Sequence, residues 1–155
     1  MEIRPFKTVH RIESFGYSLI GKNKKLKPEF AGKTSQEIQK MKSCGVKVDQ
    51  LHEQILVSFA GDSEVEFLDQ NPQTLKSKIL FLECTYLDQR KTVEHAKKWG
   101  HTHLDEILSR LPLIDSEKIV LIHLSSRYRT EEALQILTER IPKEYQERVV
   151  LFPGR

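Results

Sequence analysis

The sequence predicts an α/β fold, and three short apolar runs carry the prediction. These runs are ILVSFA (55–60), KILFLE (78–83) and KIVLIH (118–123). Each is nearly continuous and rich in β-branched or aromatic residues, which is typical of buried strands. Segments with helical spacing separate them, as the crossovers between parallel strands require. At 155 residues the chain is long enough for one domain with its own core.

Helix signals accompany the strands in three segments. TSQEIQKMKSCG (34–45) has Thr34 or Ser35 at its start, Glu37 in position for a capping box, and Gly45 as a stop. The other two segments are TVEHAKKWGHTHLDEILSRL (92–111), interrupted at Gly100, and TEEALQILTERI (130–141). The opening stretch, FKTVHRIESFGYSLIG (6–21), predicts two strands joined by a bend.

Composition excludes several classes of protein. No segment is long and apolar enough to cross a bilayer, and MEIRPFKTVH has no apolar core of a secretory signal. We therefore expect an intracellular protein, cytoplasmic or organellar. Cys44 and Cys84 lack metal-site spacing, so we expect free, buried thiols. The formal charge is +3, with four lysines in KNKKLK (22–27), which predicts a solvated loop or a contact with phosphates.

The residues that end the strands predict a functional site. Asp62, Glu83 and His123 each follow or end one of the three runs, and His10 ends a further probable strand. Ligands in open α/β sheets bind beyond the carboxyl ends of strands, so these side chains should converge. Two imidazoles and a carboxylate, from His10, Asp62 and His123, are a set that suits zinc and would hold one ion with an open position.

GHTHLDEI (100–107) has the spacing of a zinc motif, but the motif normally follows a strand and this one follows a helix. Gly100 predicts the end of that helix, Thr102 is a plausible cap of the next, and Asp105 and Glu106 suit its first turn. His101 is the exception, since it can face the strand ends as a proton donor. Glu83 would orient it or raise its pKa.

The segment after the third apolar run and two further histidines complete the polar groups of interest. In HLSSRY (123–128), Ser125 and Arg127 follow the strand, where a hydroxyl and a guanidinium would grip a phosphate; an ordinary surface loop is the alternative. His52, in a predicted polar loop, and His95, on a helix face, are interpreted as surface residues.

Five motifs in order resemble the C-terminal part of short-form tRNase Z, the zinc-dependent endonuclease family that trims the 3′ trailer from precursor tRNA. They are TVHRIESFGYSL, FAGDS, FLECTYLD, the GH of GHTHLDEI, and LIHLSSRY. KKLKPEFAGKTSQEIQKMKSCGVKV is similar to the plant and cyanobacterial type. The resemblance implies a metallo-β-lactamase-like αββα sandwich and two zinc ions.

The resemblance also implies roles for individual residues. His10 and His123 resemble zinc ligands, one for each metal, and Asp62 resembles the carboxylate that bridges both. Glu83 matches the glutamate of the family's His-Glu-Ala-Thr motif, although this chain reads Leu-Glu-Cys-Thr. His101 matches the proton donor to the leaving 3′-oxygen, and Arg127 is similar to a residue that contacts the scissile phosphate.

The family's His-x-His-x-Asp-His motif lies in an N-terminal half that this sequence does not contain, and its long Gly/Pro-rich tRNA-holding arm is not evident. We therefore expect residues 1–155 to form one partial domain that needs an N-terminal half, covalent or separate, for endonuclease activity. The expected partners are precursor tRNA, that half, and a second copy in a homodimer. Two alternatives stay open: a non-catalytic RNA-binding or dimerisation module, and a metallo-hydrolase with another substrate.

Overall fold

A single six-stranded sheet organises the computed structural model, which describes residues 1–152. The strands lie in the sheet in the order in which they occur in the chain. Their bounds are β1 Glu2–Lys7, β2 Phe15–Leu26, β3 Asp49–Phe59, β4 Ile79–Glu83, β5 Lys118–Ile122 and β6 Val149–Leu151.

The sheet is mixed. β1, β2 and β3 pair antiparallel, whereas β3, β4, β5 and β6 run parallel. The three apolar runs are therefore adjacent parallel strands, and the predicted opening pair is β1 and β2. The three-residue β6 was not predicted, because so short a strand has no periodicity of its own.

Six α-helices connect or flank the strands. Their bounds are α1 Ser35–Ser43, α2 Phe67–Gln70, α3 Val93–Lys98, α4 Leu104–Arg110, α5 Thr130–Arg140 and α6 Lys143–Gln146. The predicted capping box of Thr34 and Glu37 is present at the start of α1. Gly45 follows that helix with φ +81°, a left-handed conformation that glycine adopts without a steric penalty.

Several local predictions were wrong. KNKKLK lies mostly in β2 and His52 lies in β3, because the two strands extend well beyond the apolar run and pair with each other there. His10 follows β1 by three residues, in the connection to β2. Both cysteines are free, but only Cys84 is buried, and Cys44 is exposed at the end of α1.

The hydrophobic core lies on the face of the sheet that the helices cover. Alternate residues of β4 and β5 point into it, as the two-residue period of a strand dictates. Its strand and helix members include Leu80, Leu82, Ile119, Leu121, Leu104, Ile107, Ala133 and Leu137. This packing holds the carboxyl ends of the parallel strands in fixed relative positions.

The opposite face of the sheet carries a row of apolar side chains that is only partly covered. Register places Tyr17, Phe59, Phe81, Val120 and Val150 side by side across five strands. Tyr17, Phe59 and Val150 are about half exposed. We call these five residues the open face. Within residues 1–152 no helix is long and apolar enough to cross a membrane.

Candidate functional site

Sharp backbone turns deliver three polar side chains to the carboxyl edge of the parallel strands. Gly61 precedes Asp62 with φ +69°, and Gly100 precedes His101 with φ +76°. His123 itself has φ +59°, which is uncommon for a residue with a side chain and marks a functional or strained position. Each turn bends the chain away from its strand or helix and leaves a polar group facing the edge.

The carboxylate of Glu83, at the end of β4, lies at the centre of the site and is fully buried. Its Oε2 accepts a hydrogen bond from the backbone N–H of Thr102 at 2.6 Å, and its Oε1 accepts one from the Thr85 hydroxyl. Burial acts to raise the pKa of Glu83, but its contacts with His101, His123 and these donors outweigh burial and lower that pKa. The group is therefore a buried anion.

His101 and His123 lie on either side of this anion. Oε1 of Glu83 is 3.0 Å from Nδ1 of His101 and 3.4 Å from Nδ1 of His123. The His101 nitrogen is buried and lacks the alignment of a hydrogen bond with a described residue. The two rings stack with centroids 5.0 Å apart. Because Nδ1 of His101 faces Glu83, its Nε2 is the ring nitrogen that Glu83 does not engage.

His123 also connects Glu83 to Asp62. Its Nδ1 lies 2.9 Å from the Thr85 hydroxyl, and its Nε2 lies 3.1 Å from Oδ2 of Asp62. Glu83 raises the pKa of His123, Asp62 raises it further, and burial opposes both. Since the Thr85 hydroxyl donates to Glu83, it accepts from Nδ1 of His123, which directs Nε2 toward Asp62.

His10 enters the site from the connection between β1 and β2. Its Nδ1 donates to the carbonyl oxygen of Gly100 at 2.7 Å, which leaves Nε2 free. Its ring centroid lies 5.7 Å from that of His101. A histidine that binds a metal through one nitrogen usually donates from the other to a carbonyl or carboxylate. His10 has this arrangement, and His123 has a similar one through Thr85.

The imidazole and carboxylate groups of the site are types of ligand that zinc accepts. The three that lie closest together, however, are not the three predicted to hold one ion. Among residues 1–152, Glu83, His101 and His123 form the group of three whose ligand atoms lie within 4.8 Å of one another. His10, Asp62 and His123 do not form such a group within this part of the chain. The compact group therefore shares only His123 with the predicted set.

The side chains border an open cavity of about 570 Å³. Its lining consists of His10, Arg11, Ile12, Asp62, Trp99, His101 and His123. Ser125 and Arg127 are not part of this lining. Arg127 is exposed, and its backbone N–H donates to Ser125 Oγ at 3.4 Å. The backbone N–H of Ser125 donates to Thr85, which ties the loop to the end of β4.

The remaining residues of GHTHLDEI serve the fold. His103, which had no predicted role, is the buried cap of α4: its Nδ1 accepts from the N–H of Asp105, and its Nε2 donates to the carbonyl of Asp88. Thr102 is therefore not the cap. Its hydroxyl donates to the carbonyl of Ser63 at 2.8 Å. Glu106 completes a capping box with His103.

Sequence reasoning missed Thr85, Arg11 and Trp99. Thr85 contacts both Glu83 and His123, and its position two residues after Glu83, just past the end of β4, was the available signal. Arg11 and Trp99 adjoin His10 and Gly100 in the sequence, but no motif or periodicity distinguishes them. Their place in the cavity depends on contact between distant segments.

A lysine-rich arm projects from the other end of the sheet. It consists of the extended parts of β2 and β3 with α1 between them, and α1 buries none of its residues. Lys22 forms ion pairs with Glu2 and Glu53. Five exposed lysines of the arm form no ion pair with residues 1–152: Lys24, Lys25, Lys33, Lys40 and Lys47.

Comparison with known sequences confirms the resemblance to tRNase Z. No protein-family model matches the chain. It is 37% identical over 134 residues to tRNase Z TRZ1 of Arabidopsis thaliana and 36% identical over 132 residues to tRNase Z TRZ2, chloroplastic, of the same organism. These matches cover 85% and 84% of this chain but 48% and 37% of the relatives. The chain therefore spans less than half the length of the curated relatives it matches.

Comparison with solved structures confirms the fold. The short form of human tRNase Z matches with a TM-score of 0.53 at 18% identity, over 98% of this chain and 40% of that one. The metallo-β-lactamase fold protein YhfI from Bacillus subtilis matches with a TM-score of 0.55 at 15% identity, over 98% and 46%. The sheet and its helices are thus part of a metallo-β-lactamase fold.

Proposed function

We propose that this chain is the C-terminal half of a tRNase Z-like, zinc-dependent phosphodiesterase that removes the 3′ trailer of precursor tRNA. The observation that carries the proposal is the convergence of His10, Asp62, Glu83, His101 and His123 at one edge of the sheet. The sequence similarity to tRNase Z over 85% of the chain supports this substrate class. An intracellular location, cytoplasmic or organellar, follows from a tRNA substrate.

In the proposed reaction His10, Asp62 and His123 would hold the metals. Bound zinc would supply Lewis acidity that lowers the pKa of water and offsets negative charge on the phosphate. A water oxygen attacks the phosphorus in line, and the bond to the ribose 3′-oxygen breaks. His101 donates the proton that this oxygen needs, and the buried anion Glu83 holds the ring in position.

Ser125 and Arg127 belong to the proposal as phosphate ligands outside the metal centre. Arg127 is exposed and forms no ion pair with residues 1–152, so its guanidinium is available. The unpaired lysines of the arm would contact the tRNA backbone at a distance from the reaction. Such contacts are sequence-independent and weaken steeply with salt. They would serve equally in a non-catalytic RNA-binding module, which is the main alternative.

The open face supports the need for a second half. Two sheets of a sandwich bury their inner faces against each other at a spacing of about 10 Å. Here the apolar row of Tyr17, Phe59, Phe81, Val120 and Val150 is partly exposed, and the rings of Phe59 and Phe81 lie 5.8 Å apart. We propose that an N-terminal half with the His-x-His-x-Asp-His motif covers this face. A homodimer through the same face is the competing occupant.

The test is reconstitution. The chain is mixed with the N-terminal half of a tRNase Z, and cleavage of a precursor tRNA with a 3′ trailer is measured with and without zinc. Cleavage is expected only from the pair and only with metal. Asp62→Asn should abolish it, whereas Asp115→Asn, at an exposed residue before β5, should not.

Size measurements on the same samples identify the occupant of the open face. A one-to-one complex that replaces any dimer of the chain supports the proposal. A stable complex that binds zinc but does not cleave tRNA would overturn the assigned reaction. Cleavage by the isolated chain would overturn the need for a second half.

A further inference from the structure

Trp99 lies at the rim of the candidate site and remains 47% exposed. The guanidinium of Arg11 stands over its ring, 5.0 Å from the centroid, and Ile12 beside it is also exposed. All three residues line the cavity that contains the candidate catalytic histidines. Large apolar side chains on a rim of this kind are available for contact with a ligand.

The backbone holds this ring close to the reacting groups. Trp99 caps the end of α3, and the chain then turns at Gly100, whose carbonyl oxygen accepts from His10. A Cβ at Gly100 would lie 2.4 Å from Nδ1 of His10, so the two segments are in direct contact. Trp99 therefore directly precedes Gly100, which contacts His10, and lies two residues before His101.

Two cations adjoin the exposed ring of Trp99: Arg11 lies over it, and Lys98 directly precedes it in the chain. Neither Arg11 nor Lys98 forms an ion pair with any residue in the described part of the chain. An exposed aromatic ring among unpaired cations is the arrangement by which proteins bind single-stranded nucleic acid: the bases stack and the cations follow the backbone.

We propose that Trp99 and Arg11 form a nucleobase-binding subsite for a nucleotide that flanks the scissile phosphate. The base stacks on the indole, and Arg11 contributes a second planar surface or contacts the adjacent phosphate. This inference rests on the proposed function for the position of the phosphate. It adds a residue that orients the RNA strand and does not take part in proton transfer.

The first test uses Trp99 as a reporter, because it is the only tryptophan of the chain. The probe is an RNA minihelix of an acceptor stem with a 3′ trailer, together with versions that carry a base-free ribose at either nucleotide flanking the cleavage point. The intact probe should quench Trp99 fluorescence. One base-free version should bind about 5- to 100-fold more weakly, the range expected for loss of one stacked base.

Variants are compared by the anisotropy of labelled RNA, which does not depend on the tryptophan. Trp99→Ala should weaken binding of the intact probe by a similar factor. Removal of the base from the probe should not weaken binding to this variant any further. Trp99→Phe should keep most of the affinity. Leu113→Ala, at an exposed apolar residue outside the cavity, is the matched control and should bind as the unaltered chain does.

Three results would overturn the subsite. One is equal affinity of the intact and base-free probes for the unaltered chain. Another is a nucleoside 5′-monophosphate that binds as tightly as the RNA, which would assign the ring to a free nucleotide. The third is shielding of Trp99 from solvent when the N-terminal half is added, with no further change in its fluorescence when RNA follows. That result would assign the ring to the contact between the halves.

Failure of the subsite and failure of the proposed function are distinguishable. If the reconstituted pair cleaves RNA and Trp99→Ala has an unchanged KM, the subsite is wrong and the function stands. If no cleavage occurs but quenching still depends on the base, the reaction is wrong and the subsite stands as an RNA-binding element.

Discussion

Nδ1 of His10 donates to the carbonyl oxygen of Gly100 at 2.7 Å, and this hydrogen bond joins segments 90 residues apart. It fixes one imidazole of the site against the turn that carries His101. The bond also directs the free Nε2 of His10 away from the turn. Gly100 is therefore a structural requirement of the site as well as the end of α3.

We expect Gly100→Ala to destabilise the chain by more than the cost of its backbone conformation. Its φ of +76° costs alanine about 1–2 kcal/mol, and the new Cβ would clash with His10 at 2.4 Å. Displacement of His10 should also weaken zinc binding about 10- to 100-fold. Urea unfolding and a competitive zinc titration measure the two effects.

Gly45→Ala is the matched control for this substitution. Gly45 has φ +81°, but a Cβ there would meet no atom within 4 Å. It should show the backbone cost alone and unchanged zinc affinity. Equal effects of the two substitutions on unfolding and on zinc would show that Gly100 does not position His10.

We expect His103→Ala to cost about 2–4 kcal/mol of unfolding free energy, because it removes the cap of α4 and a fully buried ring. His103→Asn should cost about half as much, since asparagine is a good helix cap. Neither should change zinc affinity once the folded fraction is taken into account. A loss of zinc binding by folded His103→Asn would show that His103 contributes to the metal site.

Two buried serines should respond differently to alanine. Ser63 Oγ has no hydrogen-bond partner among the described residues, so Ser63→Ala should change the unfolding free energy by no more than about 0.5 kcal/mol. Ser58 Oγ hydrogen bonds with both Ser18 and Ser77 at 2.7 Å. Ser58→Ala should therefore cost about 1–3 kcal/mol. Urea unfolding measures both losses. A larger loss of unfolding free energy in Ser63→Ala than in Ser58→Ala would contradict the hydrogen-bond assignment.

Glu83→Gln should lower the pKa of His123 toward its ordinary value of about 6.5, because Glu83 is the main cause of its elevation. NMR titration of the histidine ring protons in the metal-free chain measures this shift. Glu144→Gln, at an exposed glutamate far along the chain, should leave the titration unchanged. An unaltered His123 titration in Glu83→Gln would contradict the proposed coupling.

The shifted pKa values of Glu83 and His123 also predict how the free energy of unfolding depends on pH. His123 has a folded-state pKa above its unfolded value, so its contribution is complete below about pH 6.5 and is lost as the pH rises through the folded pKa. Glu83 has a lowered folded pKa, so its contribution is lost at the acid end, as the pH falls through that pKa. Urea unfolding across pH should show a smaller loss of the first kind in Glu83→Gln than in the unaltered chain, because only the contribution of Asp62 remains.

Local patterns were sufficient for much of the fold. The apolar runs predicted β3, β4 and β5 as buried parallel strands, and the structure shows that they are also neighbours. Thr34, Glu37 and Gly45 predicted the two ends of α1, because a cap and a stop involve only nearby residues. The charge run of KNKKLK predicts a solvated loop or a contact with phosphates. Pairing with β3 instead places most of this segment in a strand.

By itself, the sequence determined the fold class, the likeness to tRNase Z, and that Asp62, Glu83 and His123 end or follow parallel strands, since each depends on residue type and spacing along the chain. Only the tertiary structure decided how these residues meet. The place of Thr85 between Glu83 and His123, the hydrogen bond from His10 to Gly100, and the helix cap at His103 depend on distances of a few ångströms between remote segments. Those distances are set by how the whole core packs, and no local pattern encodes them.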